Sequence, residues 1–295
     1  MFDACPDLPP TPLQQSDEYR KALALTKTQT SALEDGTLVL RRKLAGVPVA
    51  MLPRAQLSQD TLPVLIRKPI KGGSLHKHLL VLNPDQPAPW LGKLGAVPVM
   101  TPQHIAELSL QGDLRAQLHQ KWRNRLRFAE QQDLRITRQN MTLKPDQWLL
   151  QQNQAQQKER GYNGWPDALT LAYAKANPGC AKLFTAFSGK TPVAAMLFLR
   201  HGHSATYHIS HSTALGRSLA AHNLLMWQGM CWLATKGALH LDLGIASTEG
   251  SAAGLARFKL GTGATLRPLG GTWLWWPPIR GMLRPLSLLD QNLMK

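Results

Sequence analysis

Apolar positions along the chain switch repeatedly between a two-residue and a roughly four-residue repeat, and each switch marks an expected element. Residues 16–27, SDEYRKALALTK, put Ser16 ahead of two acids and end in lysine, the order of a capped short helix. TLVLRRKLAGVPVAMLP reads as strand, turn at Ala45-Gly46, and strand, and LPVLIRK and HLLVLN as two further strands. Glycine and proline concentrate in PIKGGS and NPDQPAPWLG, which are loops. TPQHIAEL predicts a helix capped by Thr101 with Pro102 in its first position. In GDLRAQLHQKWRNRLRFAEQQ, Leu114, Leu118, Trp122 and Leu126 recur every four residues, so one long helix is expected there, followed by a strand in LRITRQN.

Two helices are expected between Lys144 and Asn177, split by GYNGWP. AKLFTAF, PVAAMLFLR and SATYHIS then form a three-strand meander with Ser188-Gly189-Lys190 and His201-Gly202-His203 at the turns. LGRSLAAHNLLMWQGMCWLATKG is the strongest helical pattern and stops at Gly237. HLDLG reads as a strand, SAAGLARFKLG as a short helix, ATLRPLGGTWLWW as strand, turn and strand, and PPIRGMLRPLSLLD as a short helix or an extended arm. Trp273, Trp275 and Trp276 are read as core packing, with a ligand wall as the alternative. This order of elements describes an α+β fold with a mixed sheet. Two similar domains are expected, 1–140 and 141–295, joined around 135–145.

With 295 residues, 43% of them apolar, the chain can bury a substantial core without metals or disulfides. Cys5, Cys180 and Cys231 are odd in number and widely spaced, which points to reduced thiols rather than a disulfide framework. MFDACPDLPPTP has no signal-peptide pattern and no run reaches the length of a membrane span, so a cytoplasmic protein is expected. The net charge of +16 asks for an anionic partner. The surplus is uneven: Gly250 to Leu289 has no acid but contains Arg257, Lys259, Arg267, Arg280 and Arg284. Arg115 to Arg138 carries seven cations against Glu130 and Asp133, and Lys121, Arg123, Arg125 and Arg127 form its candidate basic patch.

Nucleotide-loop, zinc-protease and serine-elbow motifs are absent. His201, His203, His208 and His211 lack the carboxylate or cysteine partners of a metal site, so no metal is expected. Tyr207 and His208, adjacent on a strand, are candidate substrate contacts, His208 as a base or an anchor. Asp242 and Gly244 stand at a strand end, followed by a polar loop with Glu249 and a helix whose amides would suit an anion. Arg257 and Lys259 lie about 200° apart on that helix, so they do not clamp one group together.

Asp242, Gly244, Gly254, Leu255, Phe258, Lys259, Gly261 and Gly263 together resemble the closing motif of the FemABX-type acyl- and aminoacyltransferases and their GNAT-like relatives. The arginine-rich helix KWRNRLRFAEQQDLRI and the meander leading into HISHSTALGRSLAAHNLLMW are similar to that family in the same order, over roughly residues 110 to 270. The resemblance implies tandem GNAT-like domains, each a mixed, mostly antiparallel sheet flanked by helices. It implies transfer of an acyl or aminoacyl group from acyl-CoA or aminoacyl-tRNA to a primary amine. Lys259 inherits an anion-binding or transition-state role with Arg257 second, Phe258 a packing role, and Gly244, Gly261 and Gly263 places at the substrate. Asp242 or Glu249 would accept the amine proton. HSTALGRSLA departs from the usual CoA-binding signature, and the coiled-coil arm of the peptidoglycan-bridge enzymes is missing. Two other readings of the charge are a non-enzymatic nucleic-acid-binding or scaffold protein, and a membrane-surface acyltransferase anchored by the Trp- and Arg-rich C-terminus.

Overall fold

The computed structural model describes residues 9–144, 147–161 and 163–276. Its strands in chain order are β1 (Gln29–Ala32), β2 (Leu38–Leu44), β3 (Val47–Ala55), β4 (Leu79–Pro84), β5 (Val97–Met100), β6 (His104–Ser109), β7 (Arg135–Asn140), β8 (Ala181–Ser188), β9 (Thr191–His201), β10 (Ser204–Ser212), β11 (His240–Ile245), β12 (Thr265–Pro268) and β13 (Thr272–Trp275). The α-helices are α1 (Asp17–Ala24), α2 (Leu62–Leu65), α3 (Trp90–Lys93), α4 (Leu114–Gln117), α5 (Gln120–Glu130), α6 (Trp148–Arg160), α7 (Asp167–Ala176), α8 (Ala214–Ser218), α9 (Ala221–Thr235) and α10 (Ala253–Leu260).

Contacts divide the chain into two units, Met1–Thr26 with Ile105–Leu266, and Lys27–His104 with Arg267–Lys295. The sequential halves 1–140 and 141–295 are therefore not the units observed. The expected cut falls between β7 and α6, inside the first unit, because β7 is zipped antiparallel to β8 from Arg135↔Phe187 to Asn140↔Lys182. Strand pairing at long range, invisible to local patterning, overrides sequence order.

The first unit holds a seven-stranded sheet in the order β12-β6-β11-β10-β9-β8-β7. Leu118, Trp122 and Leu126, from the break after α4 and from α5, and Leu225, Met226 and Trp232 of α9, pack with Phe184, Met196 and Phe198 of the sheet into one buried cluster. Gly229 lets α9 come close: a Cβ there would lie 2.4 Å from Phe198 Cε2. The second unit holds a six-stranded sheet, β1-β2-β3-β4-β13-β5, whose core gathers Val39, Leu52, Leu80, Leu82 and Trp275. Here Asp85 is buried between Arg54, at 2.8 Å, and Arg267, at 3.0 Å.

Several local expectations change. LPVLIRK forms the short helix α2 instead of a strand, with Pro63 in its first turn, where proline suits a helix and its missing N–H leaves no ladder gap. TPQHIAEL forms strand β6 instead of a helix, because antiparallel pairing of Glu107, Leu108 and Ser109 with Asp242, Leu241 and His240 of β11 outweighs the capping signal at Thr101. The long arginine-rich helix breaks at Leu118 and His119, where the His119 amide donates to the Gly261 carbonyl at 2.9 Å. The other long helix breaks at Ala220, which takes a left-handed φ of 52°. Ser16 caps α1 as expected, accepting from the Tyr19 amide at 3.1 Å.

Trp275 is buried and its Nε1 donates to the Leu94 carbonyl at 3.1 Å, while Trp273 packs against the same core. These two rings serve packing, which removes them from an interfacial membrane anchor. The expected C-terminal helix or arm, with Arg280 and Arg284, lies outside the described residues, as does Cys5. Cys180 and Cys231 are free, half-buried thiols. Among the described residues no helix is long and apolar enough to cross a membrane.

Candidate active site

The first unit contains an opened pair of parallel strands. β10 and β11 share a parallel register only from Ser204↔His240 to Thr206↔Asp242. Immediately beyond, β10 bulges against β9 with His208 as the extra residue, and β11 shifts register against β6 between Asp242 and Ile245. Gly244 supplies the left-handed φ of 75° that the shift requires. Both irregularities begin at the same level, so the ladder ends at the carboxyl end of two parallel strands, a recurrent place for ligands. In the second unit the parallel pair β3 with β4 runs from Val49↔Leu79 to Leu52↔Leu82, shifts register, and resumes at Ala55↔Pro84.

Lys259, on the last turn of α10, reaches this place from a buried position. Its Nζ donates to the Ile245 carbonyl at 2.6 Å and lies against Gly244, where a Cβ would stand 3.7 Å away. Burial pushes its pKa down to about 8, and the Asp242 carboxylate pulls it partly back. Asp242 Oδ1 accepts from the Gly244 amide at 2.6 Å, which turns the carboxylate toward the strand end. The structure thus brings Asp242, Gly244 and Lys259 together. At neutral pH the ammonium is mostly charged, and among the described residues the Ile245 carbonyl is its one hydrogen-bond partner. Two of its three N–H donors remain for an anionic oxygen.

Other expected site residues are placed elsewhere. Arg257 is exposed, folding back to the Ala253 carbonyl at 3.4 Å. Glu249 is exposed on the loop before α10 and forms no ion pair among the described residues. Tyr207 is buried, its hydroxyl bonded to Ser210 Oγ, and burial raises its pKa to about 12. His208 Nε2 lies 2.9 Å from Thr170 Oγ1 of α7, beside the Trp165 ring. Burial lowers its pKa to about 4, so it is a neutral anchor and a poor base near pH 7.

Gly261 and Gly263 are positions of close packing. A Cβ on Gly261 would lie 2.5 Å from Trp122 Cδ1, and one on Gly263 2.7 Å from the Gln117 carbonyl oxygen. They seat the end of α10 on the break between α4 and α5. Gly261→Ala is accordingly expected to destabilise the protein by about 1–3 kcal/mol. A thermal melt checks this; an unchanged melt with a raised KM would return Gly261 to the substrate.

One residue escaped the sequence reading. His222, in the first turn of α9, donates from Nε2 to the His211 carbonyl at 3.0 Å and faces Phe258 with ring centroids 6.1 Å apart. Its burial holds it neutral, with a pKa of about 4. Nothing in the local pattern distinguishes it from other polar residues of an apolar helix. Phe258 itself packs on Trp122, as the resemblance implied. Among the described residues no cluster of three His, Cys, Asp or Glu side chains stands ready for a metal.

Residues 114–265, more than half of the chain, match the acetyltransferase (GNAT) domain family. The chain belongs to that family. Membership establishes GNAT-type transfer of an acyl or aminoacyl group to an amine acceptor. Among solved structures, FemX is 13% identical with a TM-score of 0.68, over 94% of this chain and 96% of that one. L-PGS from Bacillus licheniformis is 12% identical with a TM-score of 0.54, over 96% and 99%. A tandem GNAT protein from the clavulanic acid biosynthesis pathway is 12% identical with a TM-score of 0.53, over 90% and 89%. At these identities the likeness establishes the fold, two GNAT-like α+β units in tandem. No curated protein matches the sequence.

Proposed function

We propose that the protein transfers an aminoacyl group from a charged tRNA to a primary amine, with Lys259 as the cation at the reacting carbonyl. The observation that carries this reading is the buried ammonium of Lys259, held at the point where the β10–β11 ladder ends. The amine nitrogen attacks the ester carbon, and a C–N bond forms as the bond to the ribose oxygen breaks. Lys259 stabilises the negative charge that develops on the carbonyl oxygen. Asp242, the carboxylate that acts on Lys259, takes the proton released by the amine, directly or through water, and passes it on to the departing ribose oxygen.

Charge supports tRNA over acyl-CoA as donor. Lys121, Arg125 and Arg127 are exposed on α5, and Lys121, Arg123 and Arg127 form no ion pair among the described residues. By contrast Arg115 is neutralised by a bidentate bond to Glu130. A compact thioester needs no such broad surface, whereas a polyanion gains by releasing counterions along it. A gel-shift titration with bulk tRNA at two salt concentrations is expected to show binding that weakens steeply with salt. Lys121→Gln/Arg125→Gln/Arg127→Gln should lower the slope of log Kd against log salt by about 2–3. Absence of tRNA binding at low salt, with a calorimetric signal for CoA, would assign the thioester as donor instead.

A further inference from the structure

A second row of cations lies away from the site, on the face of the seven-stranded sheet that also carries α5 and α9. Arg138 of β7 pairs with Phe184 of β8, and Lys182, two residues back along β8, pairs with Phe198 of β9. Arg200, two residues on from Phe198, donates its amide to the Cys180 carbonyl at 2.8 Å. Each step crosses one strand and moves two residues in the same direction, so all three side chains share one face and form a diagonal line. Such diagonal neighbours are spaced by about 7–8 Å. Lys236, following α9, continues the row, its carbonyl accepting from Arg200 Nη1 at 3.3 Å.

Lys182 Nζ donates to Asn140 Oδ1 at 2.5 Å and Arg200 reaches toward Cys180 Sγ, contacts that position the row without balancing its charge. Among the described residues none of the four forms an ion pair. The Trp232 ring lies beneath two of them, with Arg138 Cζ at 5.9 Å and Lys182 Nζ at 5.8 Å from its centroid. Cation–π attraction holds the two like charges side by side. Burial lowers the pKa of Lys182, and the charges of Arg138, Lys236 and Arg200 lower it further. That mutual repulsion persists in the free protein and is relieved when an anion binds.

We infer that the Arg138–Lys182–Arg200–Lys236 row is a docking track for the phosphodiester backbone of an RNA. The inference rests on the reading of charged tRNA as donor and names where its backbone lies. Cations set along one diagonal of a sheet suit a chain of phosphates. A bilayer would call for apolar side chains projecting among the cations, and none of the exposed large apolar residues belongs to the row. Because the track and the basic side of α5 lie on the same face, one polyanion can engage both.

The test compares wild-type protein, the track variant Arg138→Gln/Lys182→Gln/Lys236→Gln and the α5 variant, titrated with uncharged bulk tRNA across a salt series. Arg200 is kept because it bonds the Lys236 carbonyl. The track variant is expected to lower the salt slope by about 2–3 and to raise the low-salt Kd on the order of tenfold. Retention of the wild-type melting curve identifies the loss as electrostatic. An unchanged slope in the track variant, with the α5 variant weakened, overturns the track and leaves the donor reading standing. A reduced slope in a protein that transfers from no charged tRNA supports the track and fails the donor reading. Loss of co-sedimentation with phosphatidylserine vesicles, without any change in tRNA binding, reassigns the row to a membrane surface and overturns it.

Discussion

Lys259→Met is expected to lower kcat by about a hundredfold or more while leaving the protein folded. Methionine retains most of the buried aliphatic volume and removes only the ammonium. The Ile245 carbonyl loses its donor, a cost of about 1–3 kcal/mol, but the variant also no longer buries a charge. These effects oppose each other, so the thermal melt should move little. Steady-state kinetics at saturating donor and amine decides the matter, and an unchanged kcat removes Lys259 from the reaction.

The pH dependence has a definite sign. The active form of Lys259 carries its proton, so this contribution to kcat is present below pH 8 and falls away as pH rises through about 8. The Met variant should lack that limb. Stability moves the other way, because burial places the folded pKa below the ordinary 10.5. Between about pH 8 and 10.5 the unfolded chain holds a proton that the folded chain has released, so this group's contribution to stability rises with pH across that window. Below pH 8 both states are protonated and the buried charge is a constant cost.

The largest effect on stability is expected at Asp85. Asp85→Ala should destabilise the protein by about 3–5 kcal/mol, because it strands two partly buried guanidiniums without their shared carboxylate. Arg54 Nε donates to Oδ1 at 2.8 Å and Arg267 Nη2 to Oδ2 at 3.0 Å, so both oxygens are engaged. Arg54 also holds a left-handed φ of 45°, a strain that this fixed geometry helps to maintain. Asp85→Asn keeps one acceptor and should fall between wild type and alanine. Urea unfolding measures both; a loss under about 1 kcal/mol in the alanine variant would reduce the network to an ordinary surface pair.

The basic C-terminal stretch shows how far charge counting carries. Arg257, Lys259 and Arg267 read alike in a carboxylate-free run of sequence, yet each has a different fate. Arg257 faces solvent, Lys259 is buried at the strand end, and Arg267 neutralises Asp85, 182 residues earlier. Helical periodicity already separated Arg257 from Lys259, since positions two apart occupy opposite sides of a helix. It held no information about Asp85. The Gly-x-Gly after Lys259 was legible as a motif, but its cause, contact with Trp122 and Gln117, lay more than 130 residues away.

What the sequence determined by itself is whatever depends on neighbours within a few residues: the capped α1, the three-strand meander, the apolar α9, and the Asp-Gly…Phe-Lys-x-Gly-x-Gly order that marks the family. Only the tertiary structure decided that 104–109 is a strand, that the arginine-rich helix breaks at Leu118 and His119, and that both units are discontinuous in sequence. It also decided which candidates meet: Asp242, Gly244 and Lys259 converge, while Glu249, Arg257 and His208 do not. The division follows from the range of the forces. Periodicity and capping act within a turn or two of chain, whereas strand register, burial and the pKa shift of a buried ammonium are set by residues that folding alone brings together.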